Sequence, residues 1–167
     1  MPKKIKQESI KIKNIEKEKK TEDKAQYYEA VGRRKRSTAR VRLYVVTGDT
    51  ITIKDKIVKN GDFIVNYRAI EQYFPGEIYK KSYLEPFRTT NTLGRFAVSA
   101  LISGGGLSGQ LIAFVHGVSR ALVEVDKEKF RPILKKKGFL TRDSRKKQRH
   151  MAGFAQKARA KKQSPKR

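Results

Sequence analysis

Apolar and polar residues alternate along the first ordered-looking part of the chain. Ala39, Val41, Leu43 and Val45 interleave with Arg40, Arg42, Tyr44 and Val46, the period-two pattern of a strand with one buried and one charged face. Residues 27–32 predict a strand before it. Thr47-Gly48-Asp49 predicts a turn, and Ile51 and Ile53 a third, shorter strand. The three are expected to pair antiparallel and to present arginines on one side.

After Asn60-Gly61-Asp62 the period lengthens. Asn66 reads as a helix cap, Ile70, Tyr73 and Phe74 share a helical face, and Pro75-Gly76 stops the helix. Residues 79–87 read as a further helical turn broken at Pro86, residues 88–92 as a loop, and residues 96–102 as a central strand. Leu111, Phe114, Val115, Val118, Ala121, Leu122 and Val125 recur at three-to-four spacing, which predicts the longest amphipathic helix. A second helix over residues 127–136 is expected to bury Phe130, Ile133 and Leu134 and to end at Gly138. Strands and helices in this order define an α+β body over residues 26–137.

Charge changes the picture at both ends. The net charge of +25 in 167 residues exceeds what solubility requires, so an acidic partner is expected. The last 33 residues hold 14 Lys and Arg against the single acid Asp143. Phe139, Leu140, Met151 and Phe154 are too sparse to offset the entropy of ordering such a segment, so residues 138–167 read as an extended basic tail shaped by a polyanion. Residues 1–25, rich in Lys and Glu, read as a disordered extension.

Chemistry that needs a cofactor finds little support. The chain has no cysteine and two separated histidines, His116 and His150, so neither disulfides nor a structural zinc site is expected. No nucleophile or acid sits at triad-like spacing from His116, which points to a non-enzymatic protein. The start of the chain lacks an apolar signal run, and no stretch approaches the roughly 20 apolar residues of a membrane span, so the chain reads as cytosolic. What remains is phosphate chemistry. Arg33-Arg34-Lys35-Arg36 precede the strand that carries Arg40 and Arg42. Gly104-Gly105-Gly106 join a strand to a helix, where bare backbone and helix N–H groups can meet phosphate. His116 and Arg120 share the polar side of that helix, and Arg142, Arg145, Lys146, Lys147, Arg149, Lys157 and Arg159 line the tail.

Five motifs in order resemble the bacterial form of small-subunit ribosomal protein nine. They are Tyr27-Tyr28-Glu29-Ala30-Val31-Gly32-Arg33-Arg34-Lys35-Arg36-Ser37-Thr38-Ala39-Arg40-Val41, Ile70-Glu71-Gln72-Tyr73-Phe74, Gly104-Gly105-Gly106-Leu107-Ser108-Gly109-Gln110, His116-Gly117-Val118-Ser119-Arg120-Ala121-Leu122, and Gly138-Phe139-Leu140-Thr141-Arg142-Asp143-Ser144-Arg145. The resemblance covers residues 26–167. It implies a two-layer body like the second domain of ribosomal protein S-five (three strands, a helix, a strand, a helix) with a left-handed crossover and a long basic C-terminal extension. It further implies a structural constituent of the small ribosomal subunit, without cofactor, membrane association or self-association, whose partners are ribosomal RNA in the subunit head, neighbouring head proteins and the peptidyl-site transfer RNA. By position, Arg33, Arg34, Lys35, Arg40, His116, Arg120, Arg142 and Arg145 are implied contacts to ribosomal RNA, and Lys166 and Arg167 to the transfer RNA. The chain departs from the family pattern at Val115, at Gln148 and His150-Met151, and at Pro165.

Overall fold

The computed structural model describes residues 26–45, 50–53 and 56–147. Its centre is a five-stranded mixed sheet in the order β1-β2-β7-β5-β6, made of β1 (Tyr27–Arg34), β2 (Ser37–Val45), β5 (Phe63–Val65), β6 (Arg68–Ala69) and β7 (Phe96–Ser103). β2 pairs antiparallel with both β1 and β7, and β5 runs parallel to β7. α1 (Ile70–Tyr73), α2 (Glu77–Thr89), α3 (Leu107–Val125) and α4 (Lys127–Lys136) complete the body.

The alternation in β2 fixes the two sides of the sheet. Ala39, Val41 and Leu43 join Ala30, Val98, Ala100 and Ile102 in the main core, under Phe114, Val118, Ala121 and Leu122 of α3. Tyr44, one residue along, faces the other way and packs with Ala97 and Val58, against Ile64. Val58 comes from a separate two-stranded sheet, β3 (Thr50–Ile53) with β4 (Lys56–Lys59). This corrects the expected three-stranded arrangement: residues 50–53 form a strand but pair with β4, and the neighbour of β2 is β7.

α3 lies close against β1 and β2 because two glycines face each other there. A methyl group at Gly32 would strike the Ala113 carbonyl and the Gly117 amide, and one at Gly117 would lie 2.8 Å from Val41 Cγ2. Any side chain at either position would lift the helix off the sheet.

Other expectations need correction. Asn66 does not cap a helix: with Tyr67 it forms a two-residue loop between β5 and β6 in which both residues have positive φ, 46° and 64°, the mirror-image turn that suits a twisted hairpin. Its side chain instead accepts from the Ile102 N–H and donates to the Ile102 carbonyl, both at 2.9 Å, extending the β5–β7 ladder. The residue before α1 is Ala69, with no side-chain cap. α2 passes through Pro86 rather than breaking there, since Tyr83, Pro86 and Phe87 are all buried. The hydroxyls of Thr89 and Thr90 close its last turn on the Glu85 and Pro86 carbonyls, so the loop begins beyond Thr89. α3 begins at Leu107, one turn earlier than its apolar stripe. Asp126 caps α4, accepting from the Lys129 N–H at 3.1 Å. Phe130 and Leu134 are buried, whereas Ile133, expected inside, is 42 % exposed.

Candidate nucleic-acid interface

An open groove of about 780 Å³ runs where the β1 edge, α3, α4 and the segment after α4 meet. Its polar lining comes from Arg33, His116, Arg120, Arg131, Lys135 and Arg142, against the single acid Glu124. The fold explains the convergence. Arg120 donates to the Val31 carbonyl at 2.6 Å, and His116 Nδ1 accepts from the Arg33 N–H at 3.3 Å. One turn of α3 thus closes the outward-facing backbone groups of the edge strand and holds the Arg120 guanidinium and the His116 ring beside it.

His116 is half-buried and its pKa is lowered, first by burial and then by the nearby positive charges of Arg120 and Arg142, although a hydrogen bond with the Leu140 backbone opposes this. The ring accepts at Nδ1, so the neutral form fits the geometry. It joins the edge strand to the segment after α4.

That segment does not leave the body at Gly138. Gly138 has φ 77° and ends α4 as expected, but Phe139 and Leu140 pack against the main core. Arg34 then holds the next residues: it donates to the Asp143 carbonyl at 3.2 Å and the Arg145 carbonyl at 2.8 Å, and pairs with the Asp143 carboxylate at 2.9 Å. Arg145 closes on the same carboxylate at 2.8 Å. Hydrogen bonds from the Arg145 side chain and backbone, with Arg34 adding positive charge, hold the Asp143 carboxyl far below the usual range.

The remaining predicted residues fall in several places. Lys35 and Arg36 form the exposed β1–β2 loop, with Lys35 at φ 53°. Arg40 and Arg42 lie on the sheet face away from α3, where Arg42 bonds Glu29 at 2.6 Å and stacks over the Tyr27 ring at 4.7 Å. The Glu29 hydrogen bond raises the Arg42 pKa, so that arginine is a partnered cation. Arg40 is freer, 4.0 Å from Glu29. Gly104 and Gly105 have φ of 73° and 64° and press on Arg36 and Ser37 so closely that neither position has room for a methyl. The Gly104 carbonyl accepts from Ser37 Oγ and Gln110 Nε2, each at 3.1 Å. These two glycines thus have a full packing role, while Gly106 stands in open space at the start of α3. Lys146 and Lys147 are exposed. Arg149, Lys157, Arg159, Lys166 and Arg167, like residues 1–25, lie outside the described residues.

Arg131 was not singled out by the sequence, and Lys135 was counted only among the 14 cations of the last 33 residues, not as a groove contact. Their four-residue spacing on α4, just ahead of Gly138, was the available signal. A second depression, about 590 Å³, between β5, β6 and α2 carries both signs of charge: Asp62, Arg68, Glu71 and Lys80, the last two paired at 2.8 Å. It offers a polyanion no such one-signed lining.

Fold and charge place the chain among small basic α+β proteins whose cations gather along one sheet edge. Residues 32–167 match the family described as ribosomal protein S9/S16. The chain belongs to that family, as its five ordered motifs led us to expect. It is 43 % identical over 125 residues to the small ribosomal subunit protein uS9 of Cutibacterium acnes, covering 75 % of this chain and 65 % of that protein. It is 45 % identical over 124 residues to the small ribosomal subunit protein uS9 of Maridesulfovibrio salexigens, covering 74 % of this chain and 85 % of that one. The chain thus spans just under two thirds of the first relative's length.

Proposed function

We propose that this protein is a structural constituent of the small ribosomal subunit in the cytoplasm, docking on ribosomal RNA of the subunit head through its cationic groove and basic hairpin. The observation that carries the reading is the convergence of cations from four separate parts of the chain, β1, α3, α4 and the segment after it, on one groove. Charges so arranged offset several phosphates at once and release their counterions. Arg33, Arg120, Arg131, Lys135 and Arg142 are the principal contacts, Lys35, Arg36 and Arg40 extend them around the hairpin, and Lys146, Lys147, Arg149, Lys157 and Arg159 continue them along the tail. The body has the fold of the second domain of ribosomal protein S-five, flanked by residues 1–25 and a basic extension to residue 167. That extension reaches the peptidyl-site transfer RNA, with Lys166 and Arg167 at its end. The protein works there as a single copy among neighbouring head proteins, without cofactor or catalysis.

Reconstituted small subunits test this directly. The full chain should co-sediment with the particle through a moderate salt wash. Removing residues 164–167 should leave that unchanged and weaken peptidyl-site transfer RNA retention in a filter-binding assay. Equal affinity for duplex DNA and for head-domain RNA at matched salt would contradict the reading.

A further inference from the structure

The resemblance assigns Arg34 to RNA together with its neighbours, but its surroundings give it another task. Its side chain is only 11 % exposed, and its guanidinium meets two backbone carbonyls and a carboxylate. Those partners lie more than 100 residues further along the chain, all between residues 143 and 145. Little of the fork is left to offer a phosphate.

Asp143 supports this assignment from the other side. It is the single acid after Glu128, in a segment otherwise rich in cations. A carboxylate facing a polyphosphate is repulsive, so its place here suits an internal partner. It has two: Arg34 at 2.9 Å and Arg145 at 2.8 Å, with the Arg145 N–H donating to it at 2.9 Å. Upstream, Phe139 and Leu140 are held on the core. The chain is therefore fixed first by apolar packing and then by a polar socket three residues on.

We propose that Arg34 is a positioning residue, a clamp on the root of the basic C-terminal tail that fixes the direction in which the tail leaves the body. The tail's destination rests on the proposed function; the clamp does not. A planar guanidinium meets two carbonyls and a carboxylate together, whereas a lysine ammonium reaches fewer of them in one geometry.

Amide hydrogen exchange of the full chain free in solution is the test, comparing the wild type with R34A, R34K and D143N. Hydrogen bonds to charged groups predict about tenfold or faster exchange in R34A at the Arg145 amide, the N–H of this segment that donates to Asp143, with R34K between it and the wild type. Protection in β1 and α3 should be unchanged. Wild-type exchange at the Arg145 amide in a folded R34A would overturn the proposal. If R34A loses protection throughout β1 and α3, D143N, which lies outside the sheet, carries the test. It must free the Arg145 amide and leave β1 and α3 protected, and body-wide loss or no change at Arg145 also overturns the clamp. A second readout separates positioning from general stability. With small-subunit ribosomal RNA as probe, R34A should weaken binding of the full chain and have no effect in a chain ending at Lys147. An equal loss in both chains would assign Arg34 to direct RNA contact and overturn the proposal. A clean exchange result with no difference in RNA affinity in either chain would leave the clamp standing and remove the tail from RNA binding.

Discussion

Replacing Arg131 and Lys135 with alanine isolates the groove from the rest of the molecule's charge. Both side chains line it, and among the described residues neither makes a side-chain hydrogen bond or ion pair. Both are exposed on α4, where alanine is a good helix former, so the body should keep its stability to within about 1 kcal/mol. Lys135 in the last turn also loses a favourable contact with the helix C-terminus, about 0.3–1 kcal/mol at low salt. Binding should respond much more. Each phosphate contact adds about 0.7–0.9 to the slope of log affinity against log salt, so losing two lowers it by about 1.4–1.8. Over a fourfold rise in salt the wild type then loses roughly 7–12 times more affinity than the double variant. Filter binding to head-domain RNA at four or five salt concentrations measures both slopes. Replacing Arg68 and Lys80, at the depression of mixed charge, is the matched control and should leave the slope unchanged. A double variant with the wild-type slope, or a control that loses as much, refutes the assignment of the groove.

Acidification should loosen the contact at His116. Its pKa is lowered in the folded state, so the unfolded chain takes up a proton first. The contribution is complete above the ordinary value of 6.5 and is lost as pH falls below it, because a protonated Nδ1 no longer accepts the Arg33 N–H. Urea unfolding at pH 7.5 and 5.5 should show that loss, and His116→Gln should flatten it. Lys35→Gly removes a left-handed lysine from the hairpin, where such a conformation costs about 1–2 kcal/mol, offset by greater freedom of the unfolded chain. The variant should be as stable as the wild type or up to about 1 kcal/mol more so, yet bind head-domain RNA less tightly. Lower stability would show that lysine suits the turn better than its φ implies. Gly32→Ala drives a methyl into the backbone of α3 and should cost at least about 3 kcal/mol in urea unfolding, since neither strand nor helix backbone can rotate away.

Much of the body was legible because its signals are local. Alternation in β2 separated Val41 and Leu43 from Arg40 and Arg42, and the three-to-four spacing of Leu111 to Val125 marked α3. Gly138 marked the C-terminal end of α4. Partner choice was less legible, because pairing of β2 with β7 across some 50 residues leaves no mark in either strand alone. Asn66 carries the same residue type for a cap and for a left-handed turn, and only the Ile102 backbone beside it decides between them. Pro86 was read as a breaker because the burial that carries α2 through it comes from distant residues. Of the candidate site, single cations were visible one by one. Their sorting was not: Arg33 and Arg34 are adjacent, yet one lines the groove while the other grips Asp143, a difference set by which side of β1 the chain beyond α4 crosses.

Protein–RNA cross-linking of assembled small subunits, read by mass spectrometry, tests the central claim most directly. The account predicts cross-linked peptides containing residues 33–36, 116–120, 131–135 and 142–147, and none from α2 or the depression around Asp62 and Glu71. Cross-links concentrated on α2 and that depression, with the groove peptides unmodified, would contradict it.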